Sequence, residues 1–223
     1  RAGEAGLTHL DPDTYVTPRS FEAALLAAGS AVVATRAVLE GAAAVFVLCR
    51  PPGHHATRTQ ATGFCLFNNV AVAARYALDR GVGRVAIVDF DVHHGHGTQA
   101  IFAREPQVLF FSVHQHPLYP WSGRMEETGA GNCVNVPLPA GVGDRGYARV
   151  AREVLLPLLR RFDPELILVS AGYDAHWADR LAGMRVSIAG YAHLARVLRE
   201  VTQDEIGVVF VLEGGYHLDA LAY

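Results

Sequence analysis

The residues with the clearest chemical potential lie between Asp89 and Gly97, after a short apolar segment. That segment, Arg84–Phe90, predicts a buried strand, and side chains two positions apart on a strand point to the same side. Asp89, Asp91 and His93 are therefore expected to share one face, with neighbours about 6.6 Å apart. A carboxylate and an imidazole at this spacing can bind one divalent metal together. A third ligand from elsewhere would leave a coordination position open for water, as in catalytic zinc sites.

The same run also contains two histidines, His94 and His96, that alternate with a glycine. This H-x-H spacing occurs in metal-dependent amidohydrolase barrels and in metallo-β-lactamase-like sites. The second of these expects an Asp-His continuation, whereas Gly97 and Thr98 follow here. The alternative is therefore weaker than a site built on the neighbouring Asp and His. A polar run of this kind can also be no more than a solvated turn at a strand end.

Asp174 is the best candidate for the third ligand, because it follows another strand-like segment, Glu165–Ser170, after a glycine. An Asp at a strand end is often only the N-cap of the next helix. As a ligand, it would complete a set of two carboxylates and one imidazole. That set suits zinc or iron(II).

Other residues suit hydrolytic chemistry or the pocket in which it would take place. His54 and His55 follow Pro-Pro-Gly, and metal-assisted hydrolysis needs a base that titrates near neutrality, as an imidazole does. Asp89 can orient such an imidazole. Tyr216 follows a glycine pair; a tyrosine there is usually a packed aromatic, but it can also donate its hydroxyl to a developing oxyanion. Phe64 is consistent with either a core residue or a pocket wall.

Short apolar runs that alternate with helical patterns must position these residues. The segments that predict strands are 44–49, 84–90, 108–113, 165–170 and 207–212. The segments that predict helices are 20–39, 68–80, 143–162 and 187–202. Ser187 is expected to cap its helix, and Pro157 to interrupt the helix that contains it. The alternation indicates a parallel sheet with helices on both faces, and ligands bind such sheets where their strands end.

Composition limits the class of protein. The 223 residues fit one domain, half of them are apolar, and a net charge of −3 offers no electrostatic footprint for nucleic acid. Three scattered cysteines, Cys49, Cys65 and Cys133, form no CxxC pair and favour a reducing compartment. There is no signal-peptide pattern and no uninterrupted apolar run of about 18 residues. We therefore expect a cytoplasmic protein with no direct nucleic-acid or membrane partner.

Taken in order, these motifs resemble those of the histone deacetylase superfamily, which includes acetylpolyamine amidohydrolases and bacterial histone deacetylase-like amidohydrolases. The matching blocks are Arg50–His55, Gly63–Asn69, Asp89–Gly95, Ser170–His176 and Leu212–Tyr216. The last two blocks are most similar to class II enzymes. The resemblance implies an arginase/deacetylase-like three-layer α/β fold with a mostly parallel central sheet. It also implies one catalytic domain over residues 1–223 that lacks N-terminal and C-terminal elements.

The resemblance also assigns roles to individual residues. It implies a zinc ion held by Asp91, His93 and Asp174, with His55 as the general base and acid and His54 as an electrostatic stabiliser. Tyr216 then polarises the substrate carbonyl. The residues implied to line the acyl-lysine tunnel are Gly63, Phe64, Tyr119 and Leu181. A structural potassium ion is implied beside Asp89, Ser112 and the carbonyls of Asp91, His93 and Val113.

One departure from the family pattern concerns the base, and a second concerns the loop near Trp121. His96 stands where relatives carry Asp, Asn or Gln behind the second histidine, so it would favour an imidazolium at His55 less than Asp does. Leu181 stands where polyamine-selective relatives carry an acidic residue, which favours N-acetyl-lysine or another acylated amine as the substrate. The alternatives are an acetylpolyamine or small-amide deacetylase, and a catalytically weak protein that binds acylated amines.

Overall fold

A parallel β-sheet forms the centre of the computed structural model, which describes residues 6–203 and 205–222. The strands are β1 (Thr8–His9), β2 (Tyr15–Val16), β3 (Ala44–Val47), β4 (Val85–Asp89), β5 (Val108–Gln115), β6 (Cys133–Leu138), β7 (Leu166–Ala171) and β8 (Gly207–Leu212). The helices are α1 (Ser20–Leu39), α2 (Asn69–Leu78), α3 (His96–Phe102), α4 (Asp144–Val150), α5 (Leu156–Phe162), α6 (Ile188–Thr202) and α7 (Leu218–Leu221).

Six strands build the main sheet in the order β3-β8-β7-β4-β5-β6, with every neighbouring pair parallel. Alternate side chains of the fully buried central strand β4 enter two different cores, as a sheet covered on both faces requires. Val85 and Ile87 pack on one face with α1, α2 and α3, whereas Ala86 and Val88 pack on the other with α4, α5 and α6. The expected three-layer α/β fold is confirmed.

The helices follow the predicted segments, with local differences. The predicted helix 143–162 is interrupted by a π-helical turn, Ala151–Leu155, that directly precedes α5. Pro157 lies in the first turn of α5, where its missing N–H is tolerated, so the predicted interruption is confirmed. Ser187 occupies the N-cap position of α6, as predicted, but its hydroxyl donates to Asp144 Oδ2 at 2.7 Å and makes no capping hydrogen bond to the first turn.

Several elements have no counterpart in the prediction. β6 forms the edge of the sheet although it contains Pro137, which an edge strand tolerates because one side needs no ladder hydrogen bond. α3 begins within the glycine-rich run that the sequence pattern assigned to a turn. The two-residue strands β1 and β2 and the four-residue helix α7 are too short to produce a periodic pattern.

Among the described residues, α1 is the one helix that is long and apolar enough to cross a membrane by length and composition, with a mean hydropathy of 1.5. The sequence pattern gave no uninterrupted apolar run here because Glu22 and Arg36 lie within the helix. Its buried residues are mostly alanines, and part of that face joins the core formed with α2, Val47 and Val211. Core helices of folded domains can have the same length and composition.

The parallel arrangement places the carboxyl ends of the strands at one edge of the sheet. Asp89 at the end of β4 pairs in register with Ser112 of β5 and with Ser170 of β7. Glu213 follows β8, and its backbone N–H donates to the carbonyl of Ala171 at 3.0 Å. The polar segments that follow these strands therefore meet above the sheet, as predicted.

Candidate active site

Asp91, His93 and Asp174 converge at this edge, with one potential ligand atom from each lying within 4.8 Å of the others. His93 Nδ1 is 3.1 Å from Asp91 Oδ1 and 3.1 Å from Asp174 Oδ2. Both carboxylates are buried, and His93 is half-buried. Within residues 6–203 and 205–222, no other group of three His, Cys, Asp or Glu side chains is arranged to hold a metal ion.

Backbone N–H groups hold both carboxylates in this orientation. Asp91 Oδ2 accepts from Gly214 N at 2.8 Å, while its Oδ1 accepts from His93 N at 2.8 Å. Asp174 Oδ1 accepts from Val92 N at 2.9 Å and leaves Oδ2 directed at His93. The site is therefore preorganised by main-chain contacts from the segments that follow β4 and β8.

The donor set fits a divalent cation. Burial alone would lower the pKa of His93, but its hydrogen bonds to Asp174 and Asp91 raise the pKa to about 10. Burial raises the pKa of Asp174, and the charge of Asp91 adds to that effect. Two buried carboxylates that attract a positive charge this strongly would attract a metal ion for the same reason. Two carboxylate oxygens and one imidazole nitrogen are ligands typical of zinc or iron(II).

Asp89 does not belong to this ligand set. β4 ends at Asp89, so the alternation that placed it on one face with Asp91 and His93 stops before the last two residues. The carboxylate Oδ2 of Asp89 instead lies 2.9 Å from Nδ1 of His54, which must donate to it. Gly95 makes room for this pair, because a Cβ there would collide with the Asp89 carboxylate. Asp89 thus orients an imidazole, which was one of its two expected roles, and does not share a metal ion with Asp91 and His93.

The two tandem histidines have opposite electrostatic environments. Burial would lower the pKa of His54, but the carboxylates of Asp89, Asp91 and Glu213 raise it well above its usual value. Burial also lowers the pKa of His55, and there the effect is reinforced by the neighbouring imidazoles, chiefly those of His54 and His96. The pKa values of the two imidazoles are therefore shifted in opposite directions, although the ring centroids are only 4.0 Å apart.

His96 is the partner of His55. The two Nδ1 atoms are 3.2 Å apart, so one ring donates and the other accepts. Burial lowers the pKa of His96 to about 4, with a further contribution from His54. His96 also lines a cavity of about 840 Å³, to whose wall Tyr119 contributes as well. The structure therefore places His96 behind the second tandem histidine, where the family resemblance located it.

His94, the other member of the H-x-H pair, has its ring nitrogens bonded to other side chains. Its Nδ1 lies 2.8 Å from Ser122 Oγ, and its Nε2 lies 3.0 Å from Gln99 Oε1. Both ring nitrogens are thus engaged in a buried polar network, and the ring packs 4.8 Å from that of His114. The H-x-H alternative for metal binding is not supported by this arrangement.

A cavity of about 260 Å³ leads to the candidate metal ligands. The predicted site residues that line it are His54, His55, Gly63, Phe64, Asp91, His93, Tyr119, Leu181 and Tyr216. Asp13, Pro52, Leu118 and Gly214 also line it. The cavity therefore brings the predicted histidines, tyrosine and tunnel residues together around one space.

The Gly63–Phe64 turn forms one wall of this cavity in a left-handed conformation, with φ of 57° and 67°. A Cβ at Gly63 would meet the His55 ring and the Tyr119 hydroxyl, so only glycine fits there. A positive φ at Phe64 costs about 1–3 kcal/mol and persists only where the surroundings impose it. Here Phe64 N donates to Thr14 Oγ1 at 3.0 Å, and the Phe64 ring meets Tyr216 edge-on at 6.1 Å.

The residues implied to hold a monovalent cation lie side by side at the ends of β4 and β5. Asp89 and Ser112 are paired in register and fully buried, and Val113 follows Ser112 in β5. Asp89 Oδ1 accepts from Asp91 N at 3.1 Å, and Ser112 Oγ lies 2.9 Å from His114 Nδ1.

Sequence reasoning assigned no role to Glu213, although it is fully buried beside the tandem histidines. Its Oε2 accepts from Gly53 N at 2.6 Å and from His54 N at 3.1 Å, and its Oε1 accepts from Ser170 Oγ at 3.1 Å. Burial raises the pKa of Glu213 to about 7. The signal in the sequence was a carboxylate directly after a buried apolar strand. Burying a carboxylate there is costly unless it has hydrogen-bond partners.

Comparisons with known proteins agree with this geometry. The sequence family described as histone deacetylase domain matches residues 2–223. The histone deacetylase-like amidohydrolase of Pseudomonas aeruginosa is 43% identical over 222 residues, which are 96% of this chain and 58% of that protein.

Two solved structures resemble the chain throughout. The HD domain of HDA15 superposes with a TM-score of 0.95 at 40% identity, covering 99% of this chain and 66% of that one. The acetylpolyamine aminohydrolase from Burkholderia pseudomallei gives a TM-score of 0.89 at 39% identity, covering 96% and 63%. The chain thus spans about three fifths to two thirds of these three relatives.

Proposed function

The chain belongs to the histone deacetylase family, and from this premise we propose that it removes acetyl or other acyl groups from N-acetyl-lysine or similar acylated amines by zinc-dependent hydrolysis. The observation that carries the proposal is the cavity of about 260 Å³, because it places the tandem histidines and Tyr216 against the candidate ligands Asp91 and His93. A metal site alone has many uses. A metal site beside a neutral imidazole, a cationic imidazole and a phenol suits hydrolysis of an uncharged amide.

Zinc is our first choice of metal and iron(II) the alternative, held by Asp91, His93 and Asp174. When bound, such an ion supplies Lewis-acid chemistry that activates water and polarises the amide carbonyl. The protein's part is to fix the three ligands and to keep the surroundings dry. The burial of both carboxylates and their backbone hydrogen bonds support this role.

His55 acts as the general base in this proposal. Its lowered pKa keeps the imidazole neutral at physiological pH, so it can accept the proton of the attacking water. The same ring then returns that proton to the leaving amine. His54 has a raised pKa and stays protonated, so it stabilises negative charge near the reacting carbonyl and holds no free lone pair for the base role.

Tyr216 donates its hydroxyl to the oxyanion that develops on the substrate carbonyl. Burial raises the pKa of Tyr216 and the carboxylates Asp91 and Asp174 add to the shift, so the phenol keeps its proton. A donor held in place before the reaction contributes more than one that must reorient. Acetate and a free amine are the products.

We further propose that potassium binds at the oxygen-rich site formed by the Asp89 and Ser112 side chains and the carbonyls of Asp91, His93 and Val113. Burial raises the pKa of Asp89 to about 6, although the adjacent His54 opposes the shift. A carboxylate in this environment is easier to keep ionised when a cation is close to it. Such a cation would stabilise the Asp89 charge that orients His54.

The walls of the cavity favour an apolar linker in the substrate. Phe64 and Tyr119 line it, and Leu181 lies where an acidic residue would be needed to attract a polyamine. The second candidate, an acetylpolyamine deacetylase, is retained because Asp13 also lines the cavity and offers one carboxylate to a cationic chain. An acyl-amine-binding protein without turnover remains the third.

Steady-state hydrolysis of a substrate panel distinguishes these candidates. The panel holds acetyl-lysine peptides, longer acyl-lysines and acetylspermidine. Tyr216→Phe is the control for hydrolysis that the metal site supports without the Tyr216 hydroxyl. We expect hydroxamate-sensitive acetate release that is fastest with acyl-lysine peptides. A strong preference for acetylspermidine would overturn the substrate class, and binding of acylated amines without acetate release would leave only the third candidate.

A further inference from the structure

The loop that follows β7 contains Asp179, a buried carboxylate to which neither the family resemblance nor the mechanism above gives a role. It is 7% exposed and lies five residues after the candidate ligand Asp174. Asp179 Oδ2 accepts from the backbone N–H of Tyr216 at 2.7 Å, and Oδ1 accepts from that of Leu181 at 3.0 Å. Each carboxylate oxygen is therefore used once, for a different segment of the chain.

Both of these segments line the candidate active-site cavity. Tyr216 supplies the proposed oxyanion donor, and Leu181 is the residue that we expect to select the substrate. One belongs to the segment after β8 and the other to the loop after β7, so no regular secondary structure links them. The Asp179 carboxylate joins these two segments close to both residues, in addition to the backbone hydrogen bond from Tyr173 N to the carbonyl of Gly214.

Tyr216 needs such an anchor because the chain around it is only lightly held. Gly215, the preceding residue, has φ of 124°, a conformation open to glycine alone, and Tyr216 itself is 37% exposed. The chain continues into α7, a four-residue helix with no buried residue. The Tyr216 ring meets the exposed aromatic Phe64 edge-on at 6.1 Å.

A second carboxylate holds the beginning of the same segment. Asp91 Oδ2 accepts from Gly214 N at 2.8 Å, and Asp179 Oδ2 accepts from Tyr216 N two residues later. Gly215 therefore lies between two fixed points. Hydrogen bonds to an ionised acceptor are about twice as strong as neutral ones, which suits a segment that packing alone does not fix.

We propose that Asp179 is a positioning residue, which sets the Tyr216 hydroxyl and the Leu181 side chain at fixed places around the substrate through one buried carboxylate. This inference rests on the proposed deacylase function and extends it to the residue that couples turnover to substrate selection. A misplacement of about 1 Å at a reacting group can lower the rate by about a hundredfold, so a loosened Tyr216 should reduce kcat.

The test is a double-mutant cycle between Asp179→Asn and Tyr216→Phe. The amide keeps the size of the side chain. It has only one acceptor oxygen, however, whereas the N–H groups of Tyr216 and Leu181 each need one. In the wild-type background we expect kcat on an acetyl-lysine peptide to fall about ten- to a hundredfold, with KM changed less than about threefold. In the Tyr216→Phe background the same substitution should lower kcat by less than about threefold, because the donor it positions is already gone.

A residue that only stabilises the fold would lower kcat by the same factor in both backgrounds, and that result would overturn the proposal. Asp79→Asn is the matched control, because Asp79 is an exposed carboxyl residue directly after α2. We expect it to leave kcat and KM unchanged in both backgrounds.

A second double-mutant cycle examines the contact between Asp179 Oδ1 and the backbone N–H of Leu181. Asp179→Asn should change the ratio of kcat/KM between acetyl-lysine peptide and acetylspermidine, and it should change that ratio much less when Leu181→Ala is already present. Equal changes with and without Leu181→Ala would contradict the link to the mouth of the cavity.

Hydrogen exchange on the wild-type protein keeps the inference testable if the Asp179 variants do not fold. The amides of Tyr216 and Leu181 should exchange markedly more slowly than that of exposed Leu218, and rapid exchange of Tyr216 would overturn the proposal. Failure of the wild-type protein to release acetate from any substrate would instead reject the proposed function. The two failures are therefore distinguishable.

Discussion

The Nδ1 atoms of His55 and His96 lie 3.2 Å apart, so the proposed general base is supported by a second imidazole. A neutral imidazole has two consequences there. It couples the tautomer of His55 to that of His96, since one of the two Nδ1 atoms must donate and the other accept. It adds no negative charge, so nothing at that position offsets the burial that lowers the pKa of His55.

Replacing His96 by Asp should therefore move the acidic limb of the pH profile. A carboxylate beside His55 favours the imidazolium and raises the pKa of His55. Because the base must be neutral to accept a proton, a higher pKa means that activity is lost at a higher pH as the pH falls. The measurement is kcat/KM against pH for the wild type and His96→Asp.

His96→Asn is the control for that experiment, because Asn has nearly the size of Asp and supplies an acceptor without a negative charge. Its acidic limb should stay close to that of the wild type. An acidic limb that moves to lower pH in His96→Asp would contradict the assignment of His55 as the base.

Tyr216→Phe should lower kcat by about a hundredfold to a thousandfold, the usual effect of removing one oxyanion donor. The substitution removes only the hydroxyl, so the ring contact with Phe64 and the backbone bond to Asp179 can persist. Metal content should be unchanged, since Tyr216 is not among the candidate ligands. Kinetics and metal analysis on the same preparation check both points, and a kcat near that of the wild type would remove Tyr216 from the mechanism.

Much of this arrangement could be predicted from local pattern. The period of the apolar residues gave the bounds of α1 to the residue, and the buried runs located the five strands other than β6 in the main sheet. The i, i+2 spacing suggested Asp91 and His93, the second strand end added Asp174, and the family resemblance implied all three as ligands. Strand alternation itself was a poor guide beyond Asp89, where β4 ends and main-chain hydrogen bonds orient the next side chains.

The roles of Glu213 and Asp179 could not be predicted in the same way. Glu213 contacts Gly53 and His54, which lie 160 and 159 positions away in the sequence. Asp179 contacts Tyr216, 37 positions away. A single sequence shows the type of each residue but not the distant backbone N–H groups that a buried carboxylate will reach.

Zinc should stabilise the fold by an amount that grows with the logarithm of the free zinc concentration above its Kd. A ligand at a hundred times its Kd adds about 2.7 kcal/mol to the free energy of unfolding. For a domain of this size that corresponds to a rise in Tm of roughly 5–10 °C. Thermal melting with and without added zinc, after chelation, measures the shift.

Asp174→Asn should abolish most of that shift without lowering the Tm of the metal-free protein. The amide oxygen can still accept from Val92 N, and one of two mutually repelling buried carboxylates is removed. A full zinc-dependent shift in Asp174→Asn would mean that the metal binds elsewhere.

Glu213→Ala should destabilise the fold by about 2–5 kcal/mol, because it leaves the N–H groups of Gly53 and His54 and the hydroxyl of Ser170 without their acceptor. Glu213→Gln keeps one carbonyl oxygen for the two N–H groups and can donate to Ser170, so its effect should be much smaller. Urea unfolding of both variants gives the comparison. Equal losses would show that the charge, and not the hydrogen bonding, supports the histidine segment.

Leu181→Glu should shift the substrate preference toward acetylated polyamines. Leu181 lines the cavity and is 46% exposed, so a longer acidic side chain can be accommodated without burying its charge. Together with Asp13 it would offer two carboxylates to a cationic chain, while an uncharged linker would gain nothing. An exposed ion pair contributes about 0.2–1 kcal/mol, so we expect kcat/KM for acetylspermidine relative to an acetyl-lysine peptide to rise about two- to fivefold. Leu181→Gln has the same length without the charge and should leave the ratio near its wild-type value.

Since screening weakens exposed charge pairs, the gain in Leu181→Glu should also shrink as salt is raised. A gain that persists at high salt, or that appears equally in Leu181→Gln, would indicate a change of shape and not of charge.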